Sequence, residues 1–172
     1  MKILLLLRHA KSSWKHPDLA DFDRPLNKRG RKAAVRMGAF LAAEGLRPDG
    51  VLCSAARRAQ DTWTLAAEAL GDKVPTKTYR SLYLAAPARL LEVIRRQPAD
   101  LDRLLLIGHN PGMASLIRRL AGPQSDARAL ARVTEKYPTA ALAELHFAGE
   151  TWSALAPGSA RLRRCVIPSD LD

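Results

Sequence analysis

Short uninterrupted apolar runs, each followed by a turn and then by a stretch of helical spacing, recur three times, at residues 3–7, 50–53 and 104–107. Runs of that length without polar alternation suit strands buried on both faces, as in a parallel sheet covered by helices. Between them, Asn27 is placed to cap a helix over residues 28–44, with Ala33, Ala34, Met37, Phe40 and Leu41 on one stripe and Gly45 as its stop. Ser54 is placed to cap a second helix over residues 55–70, ended by Gly71. Residues 87–96, with Leu90, Leu91 and Ile94 inward, predict a third, and residues 112–120, with Met113, Leu116, Ile117 and Leu120 in register, a fourth. The last third changes character: residues 141–147, 151–155 and 161–167 read as short strands, and 125–136 as helix or loop. The expected fold is a three-layer α/β/α sandwich whose sheet is mostly parallel, with antiparallel strands at its edge.

Length and composition bound this picture without altering it. A chain of 172 residues predicts a single domain over residues 1–172 with a substantial core. Two cysteines, Cys53 and Cys165, form no CxxC pair and are too few to staple the domain, so a reduced, cytoplasmic protein is expected. The opening MKILLLLRHAK resembles an export signal, but Arg8 interrupts it after residues 3–7, short of the roughly 7 to 15 apolar residues such a signal needs. No run approaches a membrane span. The distinctive quantity is charge: 28 Lys and Arg against 17 Asp and Glu, a net +11, which calls for an anionic partner.

Ligands of open α/β sheets bind beyond the carboxyl ends of strands. At those three places stand Arg8-His9, Ser54 through Arg58, and Gly108 through Gly112 with His109 and Asn110 inside it. Two of the chain's four histidines and an arginine pair therefore fall at equivalent positions. With Ser54 as cap, Arg57 and Arg58 lie in or just past a first helical turn, where the macrodipole disfavours cations by about 0.3 to 1 kcal/mol. An anion would remove the conflict, because free backbone N–H groups and arginine forks both grip phosphate. A solvated helix face accounts equally well for Arg57.

The other histidines read as surface: His16 sits in a polar segment, and His146 shares a strand face with Glu144, where solvent exposure is expected. No His-x-x-x-His, cysteine pair or carboxylate cluster accompanies His9 and His109, so neither a metal nor another cofactor is expected. Two histidines and two arginines suit covalent phosphoryl transfer, in which a neutral imidazole attacks phosphorus in line while cations neutralise the equatorial oxygens. His9 would be the nucleophile, with His109, Arg8 and Arg58 around the phosphate. A cysteine phosphatase loop, Cys-x5-Arg, fails by register: counting from Cys53, the sixth position is Ala59.

The segments LLLLRHAKSSW, DRPLNKRG, CSAARRAQDTW and IGHNPG resemble, in order and spacing, the histidine phosphatase (phosphoglycerate mutase-like) superfamily, and within it the small phosphohistidine phosphatase branch of SixA type. The resemblance runs from the first strand to the last and implies a phosphoglycerate mutase-like fold. It also implies a phosphorylated His9 with Arg8 beside it. Ser54, Arg58, Ala59 and Thr62 match the Ser-x-x-x-Arg-Ala-x-x-Thr pattern, making Arg58 the implied phosphate ligand, and His109 matches the second histidine. Ser12, Ser54, Asn110 and Arg57 are further candidates for substrate contacts. Two departures stand out: Ala10 replaces a common Gly, and YRSLYLAAPARL carries no carboxylate while Asn110 follows His109, so no general acid is assigned. Asp21 and Asp23 are candidate substitutes, with organisation of the loop before Pro25 as the alternative.

The resulting expectation is a metal-independent phosphatase acting in signal transduction on phosphohistidine in a partner protein. The alternatives are a small-molecule phosphomonoesterase of the same superfamily and a non-catalytic phosphate or polyanion binder. Neither a specific nucleic acid nor a membrane is expected as partner, since no nucleic-acid motif or aromatic platform is present. A monomer is expected.

Overall fold

A computed structural model describes residues 1–71 and 73–172. Its sheet is built from β1 (Lys2–Arg8), β2 (Gly50–Ser54), β3 (Thr76–Tyr79), β4 (Arg103–Gly108), β5 (Leu142–Phe147) and β6 (Ala160–Val166), in the order β3-β2-β4-β1-β5-β6. The pairs β2/β3, β2/β4 and β1/β4 are parallel, while β1/β5 and β5/β6 are antiparallel. The three apolar runs are thus adjacent central strands, and the antiparallel strands lie at one edge.

Side chains of β1 alternate between two cores, as strand geometry requires. Leu5 and Leu7 join Val51, Cys53, Leu105 and Ile107 beneath α1 (Lys28–Ala43) and α2 (Arg57–Leu70). Leu4 and Leu6 join Leu52, Leu104 and Leu106 beneath α3 (Pro87–Arg95), α4 (Gly112–Leu120) and α5 (Ala127–Glu135). Two apolar faces covered by helices make the expected three layers. On α1 the expected stripe narrows, because Ala34, Met37 and Leu41 are buried whereas Ala33 and Phe40 are only partly so. Asn27 caps α1, its Oδ1 accepting from Gly30 N at 2.8 Å. Close approach of α1 and α2 depends on Gly38, where a Cβ would stand 2.1 Å from the Ala66 carbonyl oxygen.

Several expected boundaries are corrected. Ser54 closes β2 instead of capping a helix; α2 begins at Arg57, with Ala56 before it and no side-chain cap. On α3 the third inward residue is Val93, Leu91 being half-buried. Residues 151–155 form a short 3-10 turn, Trp152–Ala154, because Trp152 and Leu155, three apart, both enter the core and the Trp152 Nε1–H donates to Leu101 O at 2.7 Å. Residues 127–135 resolve as α5, capped by Asp126. The edge strand β3, with no apolar run, lies outside the expected set. No helix of the described residues is long and apolar enough to cross a membrane.

Candidate functional site

Parallel pairing in register carries the strand-end residues to one edge of the sheet. Arg8 stands opposite Gly108, and Cys53 opposite Ile107, so the segments that follow β1, β2 and β4 emerge side by side. His9 is tied there by its own N–H to Gly108 O at 3.0 Å and by Ala140 N–H to its carbonyl at 3.0 Å. Thr62 stitches α2 to the same loop: its hydroxyl donates to Arg58 O at 2.7 Å and accepts from Ala10 N at 2.9 Å. One side chain therefore bridges Arg58 and Ala10, the residue that follows His9.

His9, Arg58 and His109 converge. All three are buried, at 7%, 3% and 2% exposure. The two imidazole rings lie 5.1 Å apart, and Arg58 reaches both, with Nε 3.4 Å from His9 Nε2 and Nη2 3.4 Å from His109 Nδ1. Hydrogen bonding assigns the His9 tautomer. Its Nδ1 lies 2.8 Å from the Ala10 carbonyl, which can only accept, so Nδ1 carries the proton and Nε2 keeps the lone pair. Burial, reinforced by Arg58, Arg8 and Arg24, pushes the His9 pKa down to about 4 against the opposing Ala10 hydrogen bond. Burial, then His9 and Arg58, lowers His109 to about 3. Both rings are neutral at pH 7.

Arg8 borders this cluster. Its Nη1 donates to Tyr137 O at 2.9 Å, and its Nε is buried with no hydrogen-bond partner among the described residues. The other candidates are arranged differently. Ser54 is fully buried and its hydroxyl meets His109 Nε2 at 2.8 Å, so it touches the ring from behind. Ser12 is buried and receives Arg24 Nη1 at 2.6 Å. Asn110 is occupied by Tyr137 O at 2.8 Å and Ala114 N at 3.3 Å, holding the start of α4. Arg57 points outward, 57% exposed beside Asp61 at 3.8 Å.

Asp21 organises the loop and also reaches the cluster. Its carboxylate accepts from Arg58 Nη2 at 3.1 Å, from Arg24 Nε at 3.0 Å and from the Tyr83 hydroxyl, while its carbonyl accepts Arg58 Nη1 at 2.7 Å. The Tyr83 hydrogen bond leads, with Arg24 and Arg58 adding, in holding the Asp21 pKa down to about 2. The helix-start conflict at Arg58 is thus balanced by a fixed carboxylate. Asp23 is exposed. Two residues were missed by sequence reasoning. Tyr83 stands edge-on to His109 with centroids 5.4 Å apart, and Arg24 holds Asp21, Ser12 and Ser13 O while stacking 3.6 Å from the exposed Trp14 ring. The i,i+3 spacing of Asp21 and Arg24 was the available signal for the latter.

Elsewhere, Cys53 is buried and its thiol is pushed up to about 12 by that burial, leaving it inert. The expected exposure of the His146 face is corrected: Glu144 is buried, bonded to His146 Nε2 at 2.7 Å and Arg164 Nε at 2.6 Å, because β6 brings Arg164 across the pair. Among the described residues no three His, Cys, Asp or Glu side chains gather as a metal site would require.

Known proteins resemble this chain in sequence and in fold. The family model described as histidine phosphatase superfamily (branch 1) matches residues 4–83. An uncharacterised protein of Mycobacterium tuberculosis is 39% identical over 164 residues, 94% of this chain and 99% of its own. Among solved structures, the proposed phosphohistidine phosphatase SixA of Nakamurella multipartitia superposes with a TM-score of 0.85 at 26% identity, over 97% of this chain and 96% of that one. Its counterpart from Agrobacterium tumefaciens gives 0.80 at 28% identity, over 97% and 98%.

Proposed function

The chain belongs to the histidine phosphatase superfamily, and we propose that it removes phosphate from phosphohistidine in a partner protein, with His9 as nucleophile. The observation that carries the choice of substrate is Asp21: the carboxylate in contact with Arg58 is held ionised, so it offers no proton to a leaving group at neutral pH. An alkoxide leaving group needs such a proton, a contribution of about 10² to 10⁴ in rate. A phosphorylated imidazole does not, because it arrives protonated on its free ring nitrogen and departs as neutral imidazole.

In the first step the His9 Nε2 lone pair forms the bond to phosphorus as the bond to the substrate nitrogen breaks. Arg58, Arg8 and His109 surround the equatorial oxygens, and a phosphate oxygen is the kind of acceptor that would complete the buried Arg8 Nε. In the neutral tautomer protonated on Nδ1, His109 accepts the Ser54 hydroxyl at Nε2 and presents its Nδ1–H to a phosphate oxygen. Phosphorylated His9 keeps its Nδ1–H on Ala10 O and so is itself protonated for departure. Water then adds to phosphorus, the P–Nε2 bond breaks, and dihydrogen phosphate leaves with both water protons.

Rapid quench with a radiolabelled phosphohistidine peptide tests this. The expected result is an acid-labile, alkali-stable label on His9, lost in His9→Ala, and a kcat/KM on the order of 10² or more above that for a sugar phosphate. Faster turnover of the sugar phosphate would overturn the substrate assignment in favour of a small-molecule phosphomonoesterase.

A further inference from the structure

A groove of about 1080 Å³ runs from the site between α1 and the C-terminal segment. Arg8 and Lys11 line its inner end, so it is continuous with the loop that carries His9. Seven of its lining side chains are Lys or Arg and one, Asp172, is acidic. Asp172 is engaged by Arg36, and Arg31 donates to Leu26 O at 3.2 Å. Lys11, Arg29, Lys32 and Lys136 have no ion-pair partner among the described residues. Close by, on β6 and α5, Arg164 and Arg132 are by contrast paired with Glu144 and Asp170. Four like charges left unpaired around one concavity repel one another, and a polyanionic occupant relieves that repulsion.

The lining chooses between polyanions. It contains no aromatic ring on which a base could stack, whereas Val35, 43% exposed, joins Ala33, Pro138 and Ile167 as an apolar floor suited to an aliphatic side chain. Its volume lies at the top of the usual span of small-ligand sites, about 300 to 1,000 Å³, and leaves room for a short extended peptide. We propose that the groove docks an acidic peptide segment of the phosphorylated partner, its carboxylates against Lys11, Arg29, Lys32 and Lys136 while the phosphohistidine enters beside His9. This rests on the protein-substrate reading above.

Two phosphohistidine peptides of equal length test it, one flanked by Asp and Glu and one by Asn and Gln, alongside p-nitrophenyl phosphate. The wild-type protein is expected to favour the acidic peptide in kcat/KM by on the order of 10-fold or more at low salt, with the preference shrinking as salt screens it. The double variant Arg29→Glu, Lys32→Glu should lose that preference and keep its rate on p-nitrophenyl phosphate. An unchanged preference in the variant, or a parallel fall on p-nitrophenyl phosphate, overturns the docking role. A fluorescent acidic peptide without phosphate, titrated by anisotropy, separates the two readings. If it binds the wild-type protein and not the variant while neither phosphopeptide is hydrolysed, the groove stands and the substrate assignment falls. Tighter binding of an RNA of equal length, or no binding of the peptide, overturns the groove itself.

Discussion

At the level of single residues, the nucleophile is prepared by its surroundings before any substrate arrives. An ordinary histidine is mostly protonated at pH 5, but His9, lowered to about 4 chiefly by burial, keeps its lone pair there. The acid limb of kcat/KM, normalised for substrate ionisation, is therefore expected near pH 4 in the free enzyme, and ¹⁵N shifts of the His9 ring should titrate with it. A limb at pH 6.5 would contradict the buried, arginine-flanked setting. The residues of this pocket were unequally legible in the sequence. His9, Arg58 and His109 follow apolar runs whose ends must meet in a parallel sheet, so their convergence could be anticipated. Tyr83 and Arg24 arrive from loops, and no periodicity announces that a tyrosine after β3 will bond a carboxylate 62 positions earlier. Ser54 shows a third case: its hydroxyl meets His109 at 2.8 Å and accepts Ala56 N at 3.3 Å, but it caps no N–H inside α2.

At the level of elements, the central strands and long helices were legible because burial on both faces imposes continuous apolar runs and 3.6-residue stripes. The edge strand β3, TKTY, escaped for the converse reason: three of its four residues are exposed, so nothing in its composition distinguishes it from a loop. Helix packing adds a constraint that the hydrophobic pattern does not reveal. Gly38 of α1 faces the Ala66 carbonyl of α2 so closely that a methyl group cannot fit without moving one helix, and α2 carries Arg58. Gly38→Ala is expected to lose about 1 to 3 kcal/mol of stability, as overpacking does. It should also lower activity by displacing Arg58 relative to His9. Urea unfolding measures the first effect and kcat/KM the second; a stable, fully active variant would show that the helices separate freely.

At the level of the whole molecule, the net +11 is unevenly spent: part is neutralised in ion pairs and part is concentrated beside the pocket, while the two site histidines carry none of it at pH 7. That neutrality links the site to global stability. Both histidines have folded pKa values below the ordinary 6.5, about 4 for His9 and about 3 for His109, so below pH 6.5 the unfolded chain binds protons that the folded chain refuses. Stability present above pH 6.5 is then lost progressively as pH falls toward 4 and 3. General repulsion among the surplus cations acts in the same direction, but salt distinguishes the two causes. Surface repulsion is screened at about 0.5 M salt, whereas the cost of charging a buried ring persists. The urea midpoint is therefore expected to fall between pH 7 and pH 4.5 even at high salt, and to fall less in a His9→Asn, His109→Asn variant. A midpoint that stays level at high salt would mean that the rings charge freely in the folded protein, and with that the neutral nucleophile would be lost as well.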